Sequence, residues 1–415
     1  METTPPSHEL QFFLTLLLKH ILATHVSYDR AFRTISTRYV VPKWLLKTFY
    51  KVGWYFISYY YGIRWLSAKN GYGVHPAGLA AYFASLGFSV KQLQRKLREE
   101  ALKLSCSKRL SILYGFPEYL IKDLLEVMDR RELEKMLRKM NEKRRWLRIN
   151  TLKTSVEEAI NLLEKNNLII SRSTLVKYMV FVEYPKWGSL KNLDVIRKGI
   201  VVPQDLASAL AIDILSLEEH MKILDACSAP GNKLSQIFML TNNRVIAVAI
   251  DKSLKRLRVE DELLRRLGVS RHLVTLVNGD SAIIGINGRE FNLALVDAPC
   301  SGSGAISSDP AIKLSIMRRD KLRHYHEIQY SILKNLLLSG ISTIEYITCS
   351  IHPLEGEMVV ERLMNEGLAE PIKINDKRLA RSYPGFKSSD RAARIMPHIH
   401  NSQGFFVAIL ENTRR

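Results

Sequence analysis

The sequence predicts an α/β protein whose second half is a doubly wound parallel sheet. In residues 201–415, apolar β-branched segments alternate with helical segments, which is the order expected of such a sheet. Residues 8–105 instead place apolar side chains at helical spacing, and residues 113–200 mix helical with strand-like segments. Because 415 residues are too many for one ordinary core, we expect three domains, at 1–110, 111–200 and 201–415.

The first of these regions is predicted to be a small helical bundle. The segment HELQFFLTLLLKHIL at 8–22 and the aromatic-rich segment at 44–63 both carry apolar residues at helical spacing. Ser89 precedes a further helical pattern, where a serine is a favoured N-cap. We expect the bundle to end in a linker near 104–112.

The middle region is predicted to be a small α/β module. RWLRINTL at 145–152 and KYMVFVEY at 177–184 are typical of strands, and SVEEAINLLEKNN is typical of a helix capped by Ser155. Residues 130–148 hold nine Lys and Arg against three Glu. Such a run forms either a solvated helix face or a surface that contacts phosphates.

The charge of the whole chain indicates its class of partner. There are 61 Lys and Arg against 41 Asp and Glu, a net charge of +20. This surplus favours a polyanionic partner, usually a nucleic acid, over a surface that only aids solubility. The apolar runs at 10–18 and 54–66 are too short to cross a bilayer, and acidic residues precede the first run. We therefore expect no membrane partner, no signal peptide and a cytoplasmic, monomeric protein.

The cysteines argue against a metal site. The chain has four, Cys106, Cys227, Cys300 and Cys349, and none of them has CxxC spacing. This pattern disfavours both structural zinc and a disulfide framework, so reduced thiols and no metal are expected.

A cofactor site is predicted at the carboxyl edge of the parallel sheet, where open α/β sheets bind ligands. The first four strands are expected at 222–226, 244–250, 273–277 and 292–298. The loops that follow them contain, in order, DACSAPGNK with Gly231 and Lys233, then Asp251, Asp280 and Asp297. Gly231 permits close approach of a ligand, and an acid twenty residues later suits the hydroxyls of a ribose. NAD, a nucleotide and S-adenosylmethionine would all fit, but the absence of GxGxxG disfavours a pyrophosphate cofactor and the absence of GxxxxGK[ST] disfavours a P-loop.

Two cysteines are predicted to share this edge. Cys300 follows the fourth strand in VDAPCSGSGA, and Cys349 follows the fifth strand in TCSIHPLEGE. A lone cysteine is more often a small buried hydrophobe, but two at one functional edge favour a reactive role. A thiolate that adds to carbon 6 of a pyrimidine makes carbon 5 nucleophilic towards a methyl sulfonium. Lys233 is available to favour the thiolate, and Asp297 to stabilise positive charge at ring nitrogen 3. His352 is expected to cap a helix or brace its loop.

The motifs DACSAPGNK, DAPCSGSG and TCSIHPLEGE resemble those of the RsmB/NOP (Sun-type) RNA cytosine-5 methyltransferases. LRINTLK, VVPQDLAS and RIMPHIHNSQGFFVAIL are similar to the same family, so the resemblance covers most of 113–415. It implies a Rossmann-like methyltransferase domain that uses S-adenosylmethionine, and an RNA-recognition-like subdomain at 111–200. Asn232 departs from the family's usual PGGK, which puts cofactor affinity in question. We expect Asn232 to tolerate left-handed backbone angles there.

The resemblance also implies roles for single residues. Cys349 would be the nucleophile and Cys300 would assist release of the product. Asp251 would hold the ribose, Asp280 the adenine region, and Asp297 would face both cofactor and target base. The residues implied to line the methionine part of the cofactor are Cys227, Ser228, Ala229, Pro230, Gly231, Asn232 and Lys233.

The identity of the substrate depends on the helical N-terminal region. This region is similar to the NusB-like RNA-binding extension of bacterial small-subunit rRNA members, which favours rRNA, with tRNA as the alternative. Two further functions stay open. An amino-group methyltransferase usually carries an aromatic in the loop where this chain has Asp297–Cys300, and a non-catalytic ribosome-assembly factor would use the net charge of +20 equally well.

Overall fold

The computed structural model describes residues 7–414, and its contacts divide them into two compact units. One unit contains the described residues up to Lys143 together with Ala305–Arg319, and the other contains Arg144–Gly304 and the residues from Asp320 onwards. The expected domain boundaries near 110 and 200 stay predictions. Within residues 7–414, every helix is either too short or too polar to span a lipid bilayer.

The first unit is helical, as its apolar periodicity predicts. Ser89 caps one of its helices by accepting a hydrogen bond from Gln92 N at 3.3 Å. The expected linker at 104–112 is wrong, because Ser105 caps a helix that runs through it and buries Leu110 and Ile112. The helices are α1 (Ser7–Thr24), α2 (Tyr28–Arg38), α3 (Lys43–Ser58), α4 (Tyr60–Lys69), α5 (Pro76–Ser85), α6 (Val90–Glu100), α7 (Cys106–Tyr114), α8 (Glu118–Leu125) and α9 (Arg130–Met140).

The second unit begins with a small antiparallel sheet that confirms the two predicted strands. Its elements are β1 (Trp146–Ile149), α10 (Val156–Lys165), β2 (Ile169–Arg172), β3 (Met179–Tyr184), α11 (Asp194–Arg197) and β4 (Val201–Pro203). The strand order is β2-β3-β1-β4. This is a βαββαβ arrangement of the ferredoxin-like type. Ser155 caps α10 as expected, accepting a hydrogen bond from Glu158 N at 3.2 Å.

A large sheet with helices on both faces follows. Its elements are α12 (Leu206–Asp213), β5 (Lys222–Asp225), α13 (Asn232–Leu240), β6 (Ile246–Asp251), α14 (Leu254–Leu267), β7 (Val274–Asn278), β8 (Leu293–Asp297), α15 (Ile312–Ser315), α16 (Asp320–Leu338), β9 (Thr343–Thr348), α17 (Glu357–Asn365), β10 (Ala369–Ile372), β11 (Ala380–Arg381), β12 (Ala393–Ile395), α18 (Pro397–His400) and β13 (Phe405–Asn412). Strands run in the order β11-β12-β13-β9-β8-β5-β6-β7, and β10 pairs with β13. The run from β9 to β7 is parallel, which confirms the predicted doubly wound sheet.

Both faces of this sheet are buried, which explains why its central strands are mostly apolar. On β9, Ile347 packs into the core on one face and Tyr346 into the core on the other. The same alternation occurs on β8 with Leu295 and Val296. Strands covered on both sides favour apolar residues, and the fully buried Glu345 on β9 is an exception.

The segment Ala305–Arg319, here called the strap, lies between β8 and α16 in sequence but packs within the helical unit. Its Lys313 is fully buried, and burial lowers the pKa of its ammonium group well below the ordinary value. The Lys313 Nζ donates to three acceptors, namely Ser58 O at 2.6 Å, Tyr114 O at 2.8 Å and Asn141 Oδ1 at 2.5 Å. Asp309 Oδ1 accepts from Tyr28 N at 3.0 Å, at the start of α2. The strap therefore completes the interior of the helical unit.

Candidate active site

The carboxyl ends of β5 to β9 meet at one edge of the large sheet, and most of the predicted site residues lie there. Asp251 is the last residue of β6, Asp297 is the last residue of β8, and Cys349 directly follows β9. Asp297 pairs in register with Ile347, so the loops that carry Cys300 and Cys349 leave neighbouring strands. The structure thus brings the predicted cofactor loops and both motif cysteines to a common edge.

The first loop joins β5 to α13 through Gly231. Gly231 has a φ of 92° and immediately precedes the helix. A Cβ atom at this position would lie 2.8 Å from Glu260 Cγ, so only glycine fits without displacement. Asn232 is the first residue of α13 and has no left-handed backbone angle. The left-handed conformation of this loop belongs to Gly231, so the loop does not call on the tolerance of Asn232 for such angles, and the effect of Asn232 on cofactor affinity stays a prediction.

A buried acid beneath this loop was not predicted. Glu260, on α14, accepts a hydrogen bond from Ser228 Oγ at 2.8 Å, while its Oε1 atom has no partner within residues 7–414. Burial raises the pKa of Glu260 to about 7. The hydrogen bond from Ser228 acts to lower this pKa, and the negative charge of Asp251 acts to raise it. The available signal was its helical spacing from the buried residues Leu257 and Leu264, which places Glu260 on the inward face.

The acids of the next two loops are held by local hydrogen bonds. Asp251 is buried, accepts from Ser253 N at 2.8 Å, and forms an ion pair with Arg256 at 3.1 Å. Asp280 accepts from Ala282 N at 3.0 Å. The glycine cradle and these two fixed carboxylates suit a nucleoside-containing ligand, because they combine close backbone approach with acceptors for hydroxyl and amino groups.

Lys233, which is buried, forms an ion pair with the partly exposed Asp297. Lys233 Nζ donates to Asp297 Oδ2, and the Lys233 side chain is only 9% exposed. Burial alone would lower the pKa of Lys233, but the neighbouring Asp297 carboxylate outweighs it and raises the pKa above the ordinary value. Lys233 is therefore a fixed cation at neutral pH.

The two motif cysteines touch each other. Cys300 Sγ and Cys349 Sγ lie 2.9 Å apart, and both are free thiols. The pKa of Cys300 is raised well above its ordinary value, first by the hydrogen bond with Cys349 and then by burial. Burial, followed by the Asp225 charge, also raises the pKa of Cys227. Of these thiols, Cys300 and Cys227 are thus held in the protonated form.

A buried carboxylate ties the two cysteine loops together. Glu355 accepts from Ser301 N at 2.7 Å and from Ser301 Oγ at 2.5 Å, next to Cys300. It also accepts from Ser350 Oγ at 2.7 Å, next to Cys349. Sequence reasoning assigned Glu355 only to a first helical turn. The signal available was a serine on the carboxyl side of each cysteine, which is too weak to reveal a shared partner.

Backbone contacts fix the same two loops from the other side. Gly304 N donates to Cys349 O at 2.9 Å, and Gly404 N donates to Gly304 O at 3.0 Å. A Cβ at Gly304 would lie 1.9 Å from Gly404 O. The glycine of DAPCSGSG and the glycine of GFFVAIL are therefore required by close backbone packing. His352 caps the turn at Pro353–Glu355 by accepting from Leu354 N at 3.0 Å, as expected.

Comparison with known proteins agrees with this site. The family model described as 16S rRNA methyltransferase RsmB/F matches residues 212–411. A second model, the ferredoxin-like domain of RsmF/B-like methyltransferases, matches residues 116–186. Together the two models match more than half of the chain. The chain belongs to the RsmB/F methyltransferase family.

Relatives of this RsmB/F family member act on different RNAs. The chain is 32% identical over 348 residues to the 28S rRNA (cytosine(4447)-C(5))-methyltransferase of Homo sapiens, covering 77% of this chain and 41% of the relative. It is 30% identical over 244 residues to the tRNA (cytosine(72)-C(5))-methyltransferase of Pyrococcus horikoshii, covering 57% of this chain and 59% of the relative. The chain spans about half the length of the curated relatives that it matches.

A solved structure shares the fold of this family member. The crystal structure of PH0851 superposes with a TM-score of 0.78 at 22% sequence identity, covering 99% of both chains. At that identity the likeness concerns the fold alone. It extends over the helical N-terminal region as well as the large sheet.

Proposed function

We propose that this RsmB/F family member is an S-adenosylmethionine-dependent RNA (cytosine-5) methyltransferase with Cys349 as its nucleophile. The observation that carries the proposal is the contact of 2.9 Å between Cys300 Sγ and Cys349 Sγ, at the ends of neighbouring parallel strands. The Lys233–Asp297 ion pair lies on elements that meet at the same edge. Two facing thiols beside a fixed cation suit covalent catalysis better than a binding role.

The cofactor would be held by the loops described above. Cys227–Lys233 would face its methionine part, Asp251 its ribose and Asp280 its adenine region. Gly231, whose left-handed backbone packs against the Glu260 side chain, sets the path of this loop just before α13, and a glycine here leaves the backbone open to close approach by a ligand. When bound, S-adenosylmethionine supplies the methyl group that carbon 5 of the cytosine takes.

Attack on the base begins with the Cys349 thiolate. Its sulfur forms a bond to carbon 6 of the cytosine, and the electrons of the 5,6 double bond make carbon 5 nucleophilic. The Lys233 ammonium stabilises the thiolate electrostatically before attack. Negative charge that develops at ring nitrogen 3 is neutralised by a proton from water, which nitrogen 3 returns to water on product release, and the Asp297 carboxylate accepts a hydrogen bond from the resulting N–H. Asp297 also accepts a hydrogen bond from Lys233, so its carboxylate connects the base to the cation that stabilises the thiolate.

Release of the product requires the reverse of attack. Carbon 5, now methylated, loses its proton to a solvent base, the 5,6 double bond re-forms, and the bond from carbon 6 to sulfur breaks. The departing Cys349 thiolate then accepts a hydrogen bond from the Cys300 thiol, which stays protonated because its pKa is raised. This role for Cys300 follows from the short contact between the two sulfurs.

The proposal is tested with the two cysteine variants and labelled cofactor on unmodified transcribed RNA. Cys349→Ala should abolish methyl transfer and form no covalent complex. Cys300→Ala should accumulate a protein–RNA adduct that survives denaturing electrophoresis, because attack proceeds and release fails. The double variant should form no adduct, and Cys106→Ala, which lies on α7, serves as the matched control. Full activity of Cys349→Ala would overturn the assignment.

We propose rRNA as the substrate, with tRNA as the alternative. The human relative is named for 28S rRNA and the family model for 16S rRNA, whereas the relative from P. horikoshii is named for tRNA. The target base must leave its stack to reach buried thiols, which favours a loop or a flipped nucleotide. Bisulfite sequencing of both RNA classes, with and without this protein, separates the two substrates.

We also propose a cytoplasmic location and a monomeric state. Two thiols 2.9 Å apart would oxidise to a disulfide in an oxidising compartment and lose the nucleophile, so the mechanism needs a reducing one. Fractionation followed by immunodetection tests the location. Light scattering coupled to size-exclusion chromatography tests the monomer.

A further inference from the structure

The helical unit contains a cavity of about 350 Å³ that the proposed methyl transfer does not use. Four arginines line it, namely Arg98, Arg109, Arg130 and Arg138. They lie on α6, α7 and α9, all within the first unit. A cluster of four guanidinium groups around one cavity is unusual, because like charges repel unless an anion joins them.

Helical spacing directs these side chains into the cavity. On α9, Arg130, Glu134 and Arg138 are four residues apart and therefore share one face. Arg98 occupies the corresponding face of α6, with Gln94 one turn earlier, and both line the cavity. The four arginines therefore converge on the cavity because of their positions on three helices.

The charges around the cavity are poorly compensated. Glu134 is the one acidic residue among those that line it, and its Oε1 already accepts from Tyr114 OH at 2.7 Å. In the described part of the chain, the side chains of Arg98, Arg109 and Arg130 have no hydrogen-bond or ion-pair partner. Three unpaired guanidinium groups facing one space provide donors for an anionic ligand.

The surrounding sequence removes competing acids. From Arg30 to Arg98 the chain has twelve Lys and Arg and no Asp or Glu. Acids begin again at Glu99 and Glu100, which pair with Arg95 and Lys69, so the net charge of this stretch still favours a polyanion near α6. The cavity also has an apolar lining, to which Leu110 and Leu113 contribute, and this suits the sugar or base of a nucleotide.

We propose that this cavity binds a phosphodiester segment of the substrate RNA, with Arg98, Arg109 and Arg130 contacting phosphates. This inference rests on the proposed function, since it takes the anionic partner to be the RNA that is methylated. Guanidinium groups bind phosphate oxygens through paired hydrogen bonds, which explains arginine rather than lysine at all four positions. The helical unit would thereby hold the RNA at a second site.

The test removes two cavity charges and compares them with two matched charges on the same helices. The cavity variant is Arg98→Gln with Arg130→Gln. The control is Arg95→Gln with Arg131→Gln, two exposed arginines on α6 and α9 that do not line the cavity. Binding of a fluorescein-labelled, single-stranded RNA of 20 nucleotides is measured by anisotropy between 50 and 300 mM salt. Because all four arginines of these variants are exposed or at helix surfaces, both should keep the wild-type melting temperature.

The expected loss of RNA affinity in the cavity variant can be calculated from counter-ion release. Each phosphate contact on a single strand contributes about 0.7 to the slope of log K against log salt, so two lost contacts lower the slope by about 1.4. At 0.1 M salt each contact is worth about a factor of 5, so the cavity variant should bind about 25-fold more weakly. The control should remain within about threefold of wild type. A cavity variant with the wild-type slope and affinity would overturn the proposal.

A second measurement needs no variant. Modification of arginines by phenylglyoxal, followed by mass spectrometry of the wild-type protein, should show protection of Arg98, Arg109 and Arg130 by the same RNA and no protection of Arg95. Equal modification with and without RNA contradicts the proposal. Methyl transfer onto transcribed rRNA is assayed in parallel. If the proposed function is wrong, the wild-type protein will not methylate the RNA. If only the cavity proposal is wrong, the wild-type protein will methylate the RNA but the RNA will not protect the cavity arginines.

Discussion

The substitution Glu355→Gln isolates the contribution of the carboxylate that ties the two cysteine loops together. Glu355 is fully buried and makes three short hydrogen bonds, two to Ser301 and one to Ser350. A glutamine keeps the shape of the side chain and can still accept from Ser301 N, while its amide group faces serine hydroxyls that can rotate to accept. The substitution therefore removes charge rather than contacts.

The magnitude can be worked from these three bonds. A hydrogen bond to a charged group contributes about 1.5–3 kcal/mol, and a neutral one about 0.5–1.5 kcal/mol. Each bond thus weakens by about 1 kcal/mol, and the free energy of unfolding should fall by about 3 kcal/mol. Because the bonds hold the residues next to Cys300 and Cys349, single-turnover methyl transfer should fall about tenfold or more. Cofactor affinity should change by less than about twofold, since Glu355 contacts none of the predicted cofactor loops.

The assay combines urea unfolding with single-turnover kinetics. Glu361→Gln on α17 is the control, because Glu361 accepts only from Lys387 N at the surface and should change stability by less than about 0.5 kcal/mol. A Glu355→Gln protein with wild-type stability would refute the argument that charge strengthens these bonds. A destabilised protein with wild-type turnover would instead refute the link between Glu355 and the geometry of the two thiols.

Three further predictions concern the first loop and its neighbours. Native Glu260 keeps its proton to about pH 7 whereas the unfolded residue loses it near 4.5, so wild-type stability should fall by up to about 3 kcal/mol as pH rises through this window. Thermal unfolding across pH should show this fall flattened in Glu260→Gln. Gly231→Ala should lower the free energy of unfolding by about 1–2 kcal/mol and should weaken S-adenosylmethionine binding, measured by calorimetry, at least about tenfold. Asn232→Gly should leave this affinity within about twofold of wild type. Equal effects of the two substitutions would contradict the placement of the left-handed angle at Gly231. Lys233→Met should slow the alkylation of Cys349 by iodoacetamide at a fixed neutral pH, and an unchanged rate would exclude Lys233 as the cation that favours the thiolate.

The positions of the strands and of the two motif cysteines could be predicted from local patterns. Apolar β-branched runs mark β5 to β9, and the rule that parallel strands end at one edge places Cys300 near Cys349 before any coordinates are known. The serine caps at Ser89 and Ser155 were equally accessible, because a cap depends only on its own first turn. Local chemistry and sheet topology were sufficient for these features.

Features that depend on distant partners could not be predicted in this way. Glu355 acquires its role only when Ser301, 54 residues earlier in the chain, folds against it, and an acid in a first helical turn has an ordinary local explanation. Glu260 lies in the charged segment RVEDELLRR, where burial of one acid among several is not visible. The helix at 106–114 looked like a linker, because its SCSKR start is polar and its apolar residues pack on other helices.

The strap has a consequence for biosynthesis. The helices of the first unit leave the ribosome by Lys143, but the lysine that fills their interior belongs to a segment that ends at Arg319, 176 residues later. At about 5–20 residues per second, the bundle waits roughly 9–35 s for its last piece. During that time the carbonyl of Ser58 lacks its Lys313 donor, the carbonyl of Tyr114 has only its hydrogen bond from Asn141, and an aromatic-rich interior stays incomplete. The part of the chain that is made first therefore depends on the ribosome passing through much of the large sheet, and we expect the nascent protein to need chaperone protection until residue 319 has emerged.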